Sequence, residues 1–373
     1  MAGVIGMLAL LCVLGVSGPV SADQMNPNTD WMVGKMAAFM HYLPKEDERH
    51  LVERFDVAGL KRQLVSMGVD CFMFALGQNN NFYNAPNATY ARIAGSGSPT
   101  AFSKRDLPAE IIAALKGTGI RFGLYSPCQP SFRDETAERA FGFEPMHPGT
   151  PGDWYVTDCG VERWASVVEE WALRYGSDVS IWWFDGARPD MRFTERHGRV
   201  LRNALLRANP SMVMSFNFGA QDWNPSLLKD FESVCEQDPS FAERMPFRTF
   251  KGSGAPVAIR RWIESSDYIS GEIAEPFRFM PDGRWFDGNQ FFVLTYLGHY
   301  WRDGHSRYPD DIWIRFLREY REKGGMIAFD MAVDHSTGLF CAGQVAQMRR
   351  IVRALQVKSA SHQSQDLSDC PKQ

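Results

Sequence analysis

The residues Ser180-Ile181-Trp182-Trp183-Phe184 run straight into Asp185, and Gly186 follows. An apolar run that ends in one carboxylate, at a residue that lets the backbone turn, presents a group able to act as nucleophile, general acid or general base. The aromatic neighbours narrow the chemistry. Flat apolar rings stack on the C–H faces of pyranose rings, while carboxylates act on the glycosidic oxygen and the anomeric carbon. The chain holds 11 Trp, and 13% of its residues are aromatic, more than a core alone demands. Asp-Gly is equally what a turn or helix cap uses, and Trp182 and Trp183 alternate in direction, so at least one of them belongs to the core.

A scaffold must present that carboxylate. Apolar runs at 36–40, 69–76, 120–126, 179–184, 211–217 and 324–331 read as strands. Segments 57–68, 107–119, 161–176 and 195–208 read as helices. In the first, Leu60, Leu64 and Met67 are at helical spacing, and in the third, Trp164, Val167, Val168 and Trp171 share a face. Farther on, 288–301 and 311–322 also read as helices, 267–273 as a possible strand, 218–265 as loop, and Gly343 to Leu355 as a last helix. Buried strands without alternation, separated by amphipathic helices, imply a parallel sheet covered on both sides. The length of 373 residues, the lack of G-x-G-x-x-G after a strand, and polar, aromatic-rich segments after the strand ends favour an α/β fold of the (β/α)8 TIM type. It is expected to be irregular in its second half.

The first 22 residues contain an apolar run ending in Val20-Ser21-Ala22, the pattern of a signal peptide and too short for the ~20 residues of a membrane span. The expected organisation is a signal peptide at 1–22, a catalytic barrel at 23–357 and a disordered polar tail at 358–373. Secretion or a periplasmic location follows, with no membrane span once the signal is removed. A net charge of −4 without a basic stripe argues against nucleic acid as partner. The cysteines other than Cys12 form no C-x-x-C pair, which gives no support to zinc ribbons, and Cys71 reads as a small buried hydrophobe. The histidines include no H-E-x-x-H, although His299 and His305 could share a loop, so neither metal nor cofactor is implied. Asn87-Ala88-Thr89 fits an N-glycosylation acceptor.

Trp183-Phe184-Asp185-Gly186 resembles the WFDG strand end of glycoside hydrolase family 29, the α-L-fucosidases, in which the aspartate of that motif is the nucleophile. Trp31 to His41 resembles the family's opening strand, Phe55 to Val69 its next helix and strand, Ile120 to Ser126 its G.Y.S strand, and Asp267-Tyr268 with Glu272 its DY..PE stretch. The resemblance spans most of residues 30–335. It departs at Leu76-Gly77-Gln78-Asn79-Asn80-Asn81-Phe82, where the family carries KHHDGF with two sugar-binding histidines. The chain also lacks the family's C-terminal β-sandwich and its Trp-Glu pair.

The resemblance implies an exported retaining glycosidase acting by double displacement on a terminal α-linked deoxy-sugar of an oligosaccharide or polysaccharide. Asp185 would be its nucleophile. The acid/base is less determined: Glu272 is the first candidate, Asp287 in Arg284-Trp285-Phe286-Asp287-Gly288 the alternative, and Glu232, Glu236 and Glu264 follow. Glu272 could instead pair structurally with Arg278 or Arg284. Expected substrate contacts are His41, Gln78, Asn79, Tyr125, Trp183, Asn217 and Trp285. His41 ends an apolar run as a structural histidine could, and Gln78 and Asn79 can both donate to and accept from hydroxyls. A barrel that binds carbohydrate without cleaving it, or a glycosidase of another sugar specificity, remains open.

Overall fold

The computed structural model describes residues 25–147, 154–188, 191–217, 264–273, 276–278, 280–286 and 288–365. The expected signal peptide, Asp287, Glu232, Glu236, Cys235, Cys370 and most of the 218–265 loop lie outside the described residues.

Seven parallel strands form one curled sheet: β1 (Met36–Met40), β2 (Cys71–Ala75), β3 (Arg121–Pro127), β4 (Val179–Asp185), β5 (Val213–Phe216), β6 (Phe292–Tyr296) and β7 (Met326–Asp330). Their spatial order is β6-β7-β1-β2-β3-β4-β5. Strands adjacent in sequence are thus neighbours in space, except β5 and β6, which form the two edges, and β7 pairs with β1, as in a barrel. The segment 267–273 bonds to both edges of this sheet. Asp267 N donates to Met214 O at 2.8 Å, while Ile273 N donates to Leu294 O at 2.9 Å. It is not a regular strand, for two local reasons. The Asp267 carboxylate takes the Met214 N–H at 3.0 Å in place of a backbone carbonyl, and Gly271 has a left-handed φ of 55° that interrupts the extended chain.

The period-two alternation of each strand separates two cores. Ala37 and Phe39, Cys71 and Met73, Ile181 and Trp183, Phe292 and Leu294, and Met326 and Ala328 fill the inside of the curl. Their neighbours Ala38, Phe72, Phe74, Trp182 and Phe184 face outward against the helices. Trp182 is therefore ordinary helix-facing core, and Trp183 belongs to the interior. At Gly123 a Cβ would collide with Ile181, so β3 and β4 can approach only because that interior position is glycine.

The helices α1 (Val57–Met67), α2 (Ala88–Ala94), α3 (Leu107–Leu115), α4 (Glu135–Phe141), α5 (Asp158–Tyr175), α6 (Glu195–Ala208), α7 (Asp310–Glu322) and α8 (Ala342–Gln365) lie along the chain between and after these strands. Trp164, Val167, Val168 and Trp171 of α5 are buried along one face. The helix expected at 288–301 is instead a short hairpin followed by β6. All five residues of β6 are buried, and a run buried on both faces carries no period to separate strand from helix. The last helix continues past Lys358 to Gln365, so the polar tail begins inside a helix. Asn87 cannot serve as an exposed glycan acceptor: it is 3% exposed, caps α2 by accepting from Tyr90 N, and donates to Val167 O. Cys71 is buried and unbridged. Among the described residues no helix is long and apolar enough to cross a membrane.

Candidate active site

Because the sheet is parallel, every interior series of alternate residues reaches the same mouth. Phe39 is followed by His41, Trp183 by Asp185, Leu294 by Tyr296 and Ala328 by Asp330. Tyr125 is an interior residue near the end of β3. Asp185 sits at the centre. Its Oδ2 accepts from Tyr125 Oη at 2.7 Å and Gln78 Nε2 at 3.1 Å, and its Oδ1 from Asn217 Nδ2 at 3.0 Å and Gly186 N at 2.9 Å. Gly186, with φ of 84°, supplies that last donor through a left-handed turn that a side chain would resist.

The second carboxyl is Glu272. Asn217 Nδ2, already bonded to Asp185, also donates to Glu272 Oε2 at 2.7 Å, and Tyr296 Oη donates to Glu272 Oε1 at 3.0 Å. One amide nitrogen thus bridges both acids. With its two N–H bonds roughly 120° apart, the bonded oxygens lie on the order of 5 Å from each other, the spacing of a retaining carboxyl pair.

Their surroundings differ. Burial, and then the Asp185 charge, push the Glu272 carboxyl up to about 7, with the bonds from Asn217 and Tyr296 and the His41 charge opposing. Four donors converge on Asp185, against two on Glu272. Opposite His41, Asp330 Oδ2 lies 2.7 Å from Nδ1. Burial alone would lower the imidazole, but the Asp330 charge and hydrogen bond, helped by Asp185 and Glu272, raise it. Burial pushes Asp330 up in turn, with His41 opposing. Burial keeps the Tyr125 and Tyr296 hydroxyls protonated, reinforced by Asp185 and by Glu272 respectively.

The expected residues separate into groups. Asp185, Glu272, His41, Gln78, Tyr125 and Asn217 come together. Asn79 lies beside them, but its Oδ1 accepts from Phe132 N at 3.1 Å and ties two loops. Trp183 is 1% exposed, stacked on Tyr125 at 5.3 Å with Nε1 donating to Ser270 O, so it floors the site from below. Trp285 belongs elsewhere. It pairs with Gln290, ahead of β6, at the end of the sheet opposite Tyr296, and packs under the Arg284 guanidinium. Arg284 in turn bonds Asp30, not Glu272. His299 and His305 do share a loop, each with its Nδ1 on Asp303.

Three participants escaped the sequence reading: Asp330, Tyr296 and Trp301, whose ring lies 5.2 Å from that of His41. Asp330 carried a usable signal, because Met326-Ile327-Ala328-Phe329-Asp330 repeats the pattern of an apolar run ending in one acid. Tyr296 was hidden by the helical reading of its segment.

No family model matches the sequence, and no curated protein does. Solved structures do. The fold is similar to that of the endo-fucoidan hydrolase MfFcnA4 from glycoside hydrolase family 107, with a TM-score of 0.61 at 14% identity, covering 86% of this chain and 52% of that one. It is similar as well to the endo-fucoidan hydrolase P5AFcnA of that family (TM-score 0.60, 11% identity, 89% and 94% covered). A third likeness is to α-L-fucosidase isoenzyme 1 from Paenibacillus thiaminolyticus (TM-score 0.56, 15% identity, 90% and 76% covered). The chain spans about half the length of the first of these, 52%. At such identities the likeness is one of fold.

Proposed function

We propose that this chain is a retaining glycoside hydrolase acting on fucosylated saccharides, built on a complete (β/α)8 barrel whose eighth stave is the 267–273 segment. Asp185 attacks the anomeric carbon and forms a glycosyl-enzyme ester. Glu272 donates its proton to the departing oxygen, then takes one from the water that hydrolyses the ester. The observation that carries this reading is the single Asn217 amide bonded to two carboxyls in unlike environments, one of them pushed up to about 7. A carboxyl raised toward neutrality beside a second carboxyl suits the general-acid role.

Two further features support it. Asn217 Oδ1 and Asp330 Oδ1 are buried acceptors with no partner among the described residues, and sugar hydroxyls would satisfy them. The solved structures of similar fold include α-L-fucosidases and fucoidan hydrolases. A barrel that only binds carbohydrate would have no use for a second carboxyl about 5 Å from the first. Export, read from residues 1–22, and kinship with family 29 in particular belong to the same proposal.

Asp185→Ala, assayed on a panel of aryl glycosides, is the direct test. Loss of a nucleophile removes several orders of magnitude in rate, whereas loss of a turn residue costs only ~1 kcal/mol of stability. A variant that keeps more than about a tenth of the rate on the best substrate sinks the assignment.

A further inference from the structure

Beside the acid pair opens a cavity of about 650 Å3. Two of its lining residues belong to the site: Gln78 bonds Asp185, and Trp301 packs against His41. The rest of its wall is unusually cationic. Lys45, Arg49, Arg133 and Arg302 face two acids, Glu46 and Asp47, so the cavity is positive in a chain of net charge −4.

Glu46 and Asp47, with Glu48 near Lys45, offset only part of this charge. Arg49 donates to the carbonyls of Asn80 and Asn81 at 3.1 and 2.9 Å, which fixes its guanidinium without a carboxylate partner among the described residues. Arg302 lies over the Trp301 ring at 4.1 Å, a packing that leaves the guanidinium edge available. Lys45, Arg133 and Arg302 are exposed. Gathering like charges in one concave wall is unfavourable by itself and becomes favourable when an anion enters. The planar fork of Arg matches the oxygens of a sulfate or a carboxylate, while Trp301 offers a ring face to a pyranose.

We infer that this cavity holds the sugar unit next to the one at Asp185, and that it selects a unit carrying an anionic substituent, either a sulfate ester or a uronate carboxylate. The inference rests on the glycosidase reading for its sugar and on the cavity's own charges for its selectivity.

Calorimetric titration tests it with three probes: a neutral α-linked fuco-oligosaccharide, the same compound sulfated, and one carrying a uronate. Against the wild-type chain, at least one anionic probe is expected to bind about tenfold more tightly than the neutral one, a preference that shrinks as salt rises. Which anionic probe wins identifies the substituent. In the double variant Arg133→Glu/Arg302→Glu the preference disappears. In Arg199→Glu, an exposed residue of α6 outside this cavity, it persists. Equal binding of neutral and anionic probes, or a preference that survives in the double variant, overturns the inference. If the anionic probe binds selectively but no fucoside is cleaved, the cavity assignment stands and the catalytic reading falls. If none of the three binds, both fall.

Discussion

Replacing Glu272 by Gln separates the acid role from a structural one, because each predicts a different pH dependence. The wild-type carboxyl moves from 4.5 to about 7 in the fold, chiefly by burial and the Asp185 charge. A carboxyl whose pKa is raised by folding keeps a proton that the unfolded chain has already lost. Stability is therefore unaffected by this group below about 4.5, falls as pH rises from 4.5 toward 7, and is level above that. At about 1.36 kcal/mol per pH unit the full loss is at most roughly 3 kcal/mol, reduced by the partial solvent contact Glu272 retains. Glu272→Gln removes the titration, so the variant should match wild type in urea unfolding near pH 4.5 and exceed it by up to roughly 3 kcal/mol at pH 8. Catalysis should move the other way. On substrates with poor leaving groups the variant loses about 10²–10⁴ in rate, the usual worth of a general acid, while dinitrophenyl glycosides, which leave unaided, form the ester almost normally. Added azide should restore turnover of that ester. Wild-type activity on poor leaving groups should fall about tenfold per pH unit above 7, since only the protonated acid works, and this limb belongs to the coupled pair. Equal losses for good and poor leaving groups, with no stabilisation of the variant at pH 8, would refute the reasoning and send the search for the acid to Asp287 or the 218–263 segment.

Tyr296→Phe deletes a hydrogen bond that favours ionised Glu272, so the alkaline limb of the wild-type pH–rate profile should move upward; a downward move would mean that Tyr296 does not act through this acid. His41→Ala strands Asp330 as a buried acid without its partner and should cost about 3–5 kcal/mol, as breaking buried pairs does. The double variant His41→Ala/Asp330→Ala should then cost less than the two single losses added together, and strict additivity in urea unfolding would show that the two side chains are not coupled.

The sheet was legible because its strands are local in sequence and separated by helices with clear apolar faces. What failed was always a place where the usual period is missing. The β6 run is buried on both faces, and the 267–273 segment carries its register through an aspartate side chain and a left-handed glycine, neither of which alternation can report. The site shows the same division. Asp185 was readable from its own strand. Glu272 was only one acid among several, since what distinguishes it is a shared amide from Asn217, 55 residues away in sequence, and a hydroxyl from Tyr296.

Trp182, Trp183 and Phe184 before Asp185 also have an account now, and it concerns rigidity more than sugar stacking. Trp182 and Phe184 face the helices and stack on each other at 5.9 Å, while Trp183 faces inward under Tyr125 and is anchored by its indole N–H to Ser270. Ser270 lies two residues before Glu272. The ring below the proposed nucleophile is therefore bonded to the segment that carries the proposed acid, and Tyr125, stacked on that ring, bonds the nucleophile itself. A carboxyl pair works only within a narrow range of separation. Between β5 and β6 the closing segment is irregular, and there the bridges through Trp183 and Asn217 do the holding that a regular ladder does elsewhere in the sheet.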